Sequence, residues 1–148
     1  MYESLHKDVV DAVSNDVPSV WFQTDANEGF IKQYNTNLSG FFDCPNKRCR
    51  KKGWSTGVIA TVIRGYEDNG YNAVICGQRC RSCNELGLLK LDEEKYVERV
   101  TRRIRIWAGV PVEDATYSLR PTPPHETDYC EGCRIGVCQY SPSRDVRL

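Results

Sequence analysis

Eight cysteines in a chain of 148 residues fall into a spacing that leaves few ways to fold. Cys44 and Cys49 form a C-x4-C pair, and Cys80 and Cys83 form a C-x2-C pair thirty residues further on. Cys130, Cys133 and Cys138 then make a C-x2-C-x4-C run. If thiolates from distant parts of the chain meet on one metal, the central Gln78-Arg79-Cys80-Arg81-Ser82-Cys83 decides where the backbone folds back. A CxxC turn offers two sulfurs to one ion and leaves its amides free to hydrogen-bond them, and tetrahedral zinc takes two such pairs. Cys44, Cys49, Cys80 and Cys83 can therefore close one all-thiolate site. Cys130, Cys133 and Cys138 leave a second site one ligand short, and His125, five residues before Cys130, is the completing candidate. The expected cofactor is Zn2+, two ions on eight ligands. Cys76, among Ala73, Val74 and Ile75, reads as a small buried hydrophobe. His6 reads as solvated.

Two other chemistries suit eight cysteines. A disulfide framework needs an oxidising compartment, and residues 1–16 carry Glu3, Lys7, Asp8, Asp11 and Asp16 in place of the apolar core of a secretory signal. A redox dithiol would use one CxxC, which makes three separate groups uneconomical. No run approaches the ~20 apolar residues of a membrane-spanning helix. The expected location is intracellular, cytoplasmic or nuclear.

The pattern of elements is α+β. Residues 2–13 have the apolar spacing of a short amphipathic helix, stopped at Val17-Pro18. Residues 20–22 and 30–34 read as strands, and Phe41-Phe42 leads into Cys44. The stretch 58–64 is β-branched and apolar, and Asn69-Gly70 marks a hairpin whose return strand covers 71–78. Knuckle, strand, turn, strand, knuckle is the order of a zinc ribbon. Asp92, Glu93 and Glu94 open the main helix, whose apolar arc holds Tyr96, Val97, Val100, Ile104, Trp107 and Ala108. Gly109 is placed to end it. Three segments follow from this reading: an N-terminal part at 1–39, a zinc-binding domain at 40–140 and a tail at 141–148.

Phe42-x-Cys44-Pro45, Trp54, Gln78-Arg79-Cys80-x-x-Cys83 and Cys130-Glu131-Gly132-Cys133-x-x-Gly136-x-Cys138 resemble the 3CxxC-type zinc finger. That family includes the receptor-transporting proteins of vertebrates and many fungal members. Tyr96-Val97-Glu98-Arg99-Val100 and Pro123-Pro124-His125 look closest to the fungal ones. The resemblance implies zinc binding by Cys44, Cys49, Cys80, Cys83, Cys130, Cys133 and Cys138. The chain departs from the pattern in its first pair, which is C-x4-C. It also has no apolar segment like the C-terminal one of the receptor-transporting proteins, so their role is not carried over.

Zero net charge conceals an uneven distribution. Residues 1–43 carry two basic residues against seven acidic, 44–109 carry fourteen against seven, and 110–148 carry four against six. The basic segment includes Lys47-Arg48-x-Arg50-Lys51-Lys52 and the arginine face of the main helix. These residues suit nucleic-acid binding, though they also suit offsetting the charge of zinc thiolates, and a neutral chain gives no general support for phosphate binding. The favoured reading is a zinc-folded module for protein–protein contact, with nucleic-acid binding as the alternative. Enzymatic function is not expected, because ligand sets that close at four leave no open position and no H-x-E occurs.

Overall fold

The computed structural model describes residues 3–25, 28–112 and 126–138. The elements in chain order are α1 (His6–Val13), β1 (Trp21–Phe22), β2 (Lys32–Asp43), β3 (Gly53–Tyr66), β4 (Gly70–Ile75), β5 (Leu88–Leu91), α2 (Glu93–Trp107) and α3 (Glu131–Arg134). One mixed sheet runs in the order β1-β4-β3-β2-β5, with β1 parallel to β4 and β5 antiparallel to β2. The chain divides into two compact units, each discontinuous in sequence. The first takes residues 1–34, 62–74 and 93–121, and the second takes 35–61, 75–92 and 122–148.

The first unit is held by apolar burial. Leu5, Val9 and Val13 recur at helical spacing and are buried, as are Tyr96, Val100, Thr101 and Ile104 of α2. Tyr71 is fully buried on β4, and its hydroxyl meets His6 Nδ1 at 2.9 Å. His6 is therefore half-buried and partnered, contrary to the expectation of a solvated side chain. Arg105 reaches from α2 to Asp16 at 3.1 Å and to the carbonyl of Ala12. The helix ends as anticipated at Gly109, whose φ is +80°. The Gly109 and Val110 amides donate to the carbonyls of Ile106 and Arg105, the paired bonds of a Schellman motif.

The hairpin between β3 and β4 is present, but its tight turn sits one residue earlier than the Asn-Gly signal suggests. Asp68 and Asn69 carry the consecutive positive φ values of 57° and 66°. Gly70 is already extended and pairs with Trp21, whose indole occupies the space a Cβ on Gly70 would need.

The second unit contains most of β2 and β3, all of β5, the knuckles and all the described cysteines. On β2, Thr36, Leu38 and Phe42 are buried while the alternate residues are more exposed, the period of a half-buried strand. The strand is longer than expected and begins at Lys32, leaving Phe30 and Ile31 outside it. β5 (Leu88–Leu91), just before the main helix, has no counterpart among the strands expected from sequence. One diagonal crosses its pairing with β2, the 3.0 Å ion pair of Lys90 with Asp43.

Candidate metal centres

Four sulfurs converge where β2, the 44–52 turn and the exit of β4 meet. Cys44 Sγ lies 3.5 Å from Cys83 Sγ, and Cys49 Sγ lies 3.7 Å from Cys80 Sγ. All four ligand atoms lie within 4.8 Å of one another. With Zn–S bonds near 2.3 Å, a tetrahedral site needs sulfurs about 3.8 Å apart, so the set fits zinc. The four residues between Cys44 and Cys49 do not loosen this geometry, because Asn46 organises them. Its carbonyl accepts from the Cys49 amide at 3.0 Å, and its side-chain oxygen accepts from the Arg48 amide at 3.0 Å.

The four thiols are not equivalent before metal binds. Burial and crowding by neighbouring thiols push Cys44 up to about 12 and raise Cys49. Burial opposes ionisation of Cys80, but hydrogen bonds from the backbone amides of Cys83 and Ser82 and from the Cys49 and Cys83 thiols together outweigh it and draw that thiol down to about 7. The CxxC turn thus stabilises one thiolate in advance.

Residues 77–80 hold the knuckle between two neighbours. On one side Gly87 and Cys80 amides bond the carbonyls of Gln78 and Glu85, and on the other Arg79 and Glu131 amides bond those of Tyr129 and Gly77. The Gln78 side chain is buried, accepts from Trp54 Nε1 at 3.0 Å and donates to the Val58 carbonyl at 2.8 Å. Trp54 in turn stacks on Phe42, with ring centroids 5.3 Å apart.

The second cluster comprises Cys130, Cys133 and Cys138, all buried, with sulfurs within 4.8 Å of one another. Its knuckle is the single turn α3, too short for a periodic sequence signal. The Cys133 amide donates to Cys130 Sγ at 3.4 Å. The carboxylate of Glu131 receives Arg134 Nε at 2.7 Å and Arg79 Nε at 2.8 Å, and these bonds hold its carboxyl below the usual range. Glu131 was not legible as a site residue, because its Arg79 partner lies 52 positions away. Gly132 packs so closely on Ala60 that a Cβ would collide with it.

Cys76 joins the core formed by Val58, Ala60 and the three clustered cysteines, and burial pushes its thiol up to about 11. Its sulfur is not among the three that converge, in keeping with the small-hydrophobe reading. His125 lies outside the described residues.

A family model described as a zinc-binding domain, the 3CxxC zinc ribbon, matches residues 37–136. The chain belongs to the 3CxxC zinc-ribbon family. No curated protein and no solved structure matches it. In this 3CxxC chain the two thiol clusters provide for two zinc ions.

The two basic groups singled out in the sequence have different surroundings. On α2, Arg103 lies 3.4 Å over the centre of the Tyr34 ring, Arg105 is bonded to α1 and its C-terminal connection, and Arg99 and Arg102 are also engaged. The cations of the 47–52 turn of the 3CxxC domain have no such partners among the described residues. No helix among the described residues is long and apolar enough to cross a membrane.

Proposed function

We propose that this protein is a non-catalytic binding module, folded by two structural zinc ions, that contacts a protein partner inside the cell. The observation that carries the reading is the closed four-sulfur set of Cys44, Cys49, Cys80 and Cys83. A catalytic zinc keeps a position for water or substrate, whereas four thiolates fill the tetrahedron. His125 completes the second site in this reading. The eight free thiols suit a reducing, cytoplasmic or nuclear compartment.

Structural zinc contributes about 10–16 kcal/mol of apparent binding free energy at neutral pH. A whole domain is stable by only about 5–15 kcal/mol, so metal suffices to decide whether the second unit folds. Leu86 and Leu88 stand 47% and 60% exposed on the segment after the second knuckle, and a protein partner would cover them. Cobalt substitution tests the closed site. The absorption of the cobalt-loaded chain should stay unchanged when azide is added; a new absorption band would mean an open coordination position and overturn the reading.

A further inference from the structure

The described cations of the second unit divide into two groups. Arg79 and Arg134 share Glu131, Arg81 pairs with Glu126 at 2.8 Å, and Lys90 pairs with Asp43. Lys47, Arg48, Arg50, Lys51 and Lys52, all in the first knuckle, have no carboxylate partner among the described residues. Four of these five are exposed and Lys51 is half-buried. The loop that carries them is fixed at both ends. The Cys44 amide donates to the Lys52 carbonyl at 2.9 Å, and Asn46 closes the turn at Cys49.

Neutralising the metal site does not account for these charges. Four thiolates around Zn2+ carry a net charge of −2, which five cations exceed. Beside the loop lies an aromatic surface. Phe41 lays its ring on Gly53, the residue after Lys52, so closely that a Cβ there would stand 2.5 Å from the ring Cζ. Phe41 is nevertheless 39% exposed.

We propose that the 47–52 loop and Phe41 form a binding site for single-stranded nucleic acid, with phosphates on the cations and a base stacked on the phenyl ring. This goes beyond protein contact and rests on zinc holding the knuckle in place. Free cations next to an exposed ring form the pairing that sequence-tolerant single-strand binders use. A duplex keeps its bases stacked on each other and cannot offer one to Phe41. An acidic peptide would engage the cations and leave the ring idle.

The test uses the full chain loaded with zinc and labelled oligouridylate or oligothymidylate of roughly 12 nucleotides, read by fluorescence anisotropy across a salt series. Saturable binding is expected at about 50 mM salt, with a log–log salt slope near −0.7 for each phosphate contacted. The double variant Arg48→Glu/Lys51→Glu should flatten that slope by about 1.4. Phe41→Ala should weaken binding about 5- to 150-fold and leave the slope unchanged, as loss of one stacked base does. Arg81→Gln, which removes a paired cation, should change neither. Zinc content, measured for every protein, separates a lost scaffold from a lost site. A zinc-loaded chain that shows no binding at low salt overturns the proposal. So does equal binding of polyglutamate or anionic vesicles with no effect of Phe41→Ala, which would assign the loop to acidic partners in general.

Discussion

The two thiol clusters differ in how far the chain must travel to build them. Cys44 and Cys83 are 39 residues apart and Cys49 and Cys80 are 31 apart, so the first cluster exists only if the long hairpin has formed. Cys130, Cys133 and Cys138 come from one short stretch and meet around a single helical turn. Their environments differ in the opposite sense. Three of the four long-range thiols are half-exposed, whereas all three local ones are buried against Val58 and Ala60. The first site is therefore a staple between distant segments. The second is a local knot anchored by the apolar core, and it has less need of metal to bring its own residues together.

On that contrast, losing the staple has the largest effect. Cys80→Ser should remove one zinc and abolish the cooperative thermal transition of the second unit, because the metal free energy of about 10–16 kcal/mol is as large as the ~5–15 kcal/mol stability of a whole domain. A retained cooperative melt with one zinc gone would reverse the assignment of staple and knot. His125→Ala should come next, lowering native mass by one zinc while the melt survives at reduced temperature. Two zincs in that variant would place the fourth ligand elsewhere.

A smaller effect is expected at the contact between the knot and the sheet. Gly132→Ala should cost about 1–3 kcal/mol in urea unfolding, since its Cβ collides with Ala60 and the core must shift to admit it. No change would mean that α3 is not seated on β3. Smallest is Cys76→Ala, which should keep both zincs and lose about 1 kcal/mol, the ordinary scale of a buried substitution. Loss of a zinc there would make Cys76 a ligand and extend the knot to the end of β4.

The staple was readable from sequence because its signals are local: paired spacings, a β-branched run and a turn between them. The α+β class followed from the same signals, as did α2 with its glycine end. Other features depended on contacts that spacing does not carry. Leu88-Leu89-Lys90-Leu91 has no alternation and carries no strand signal of its own; pairing with 40–43 makes it a strand. β2 runs through Asn35 and Asn37, poor strand formers, because the alternating Thr36 and Leu38 are buried. The turn moved from Asn-Gly to Asp-Asn because Trp21, 49 residues before Gly70, needs the space over that glycine. His6 was misread for the same reason, since Tyr71 lies 65 residues away. The clustered sulfurs were legible, but Asn46, Gln78 and Glu131, which orient the knuckles, act through pairs of hydrogen bonds that leave no periodic trace.

Gln78 has a further consequence for the order of events in folding. Its amide satisfies the indole of Trp54 and the carbonyl of Val58 at once, and both belong to the opposite strand of the hairpin. A slip of one residue would turn Gln78 to the other face and leave buried polar groups unmatched. The same slip would carry Cys80 away from Cys49. One uncharged side chain thus proofreads the alignment of the ribbon, so that zinc meets four sulfurs only in a hairpin whose register is already correct.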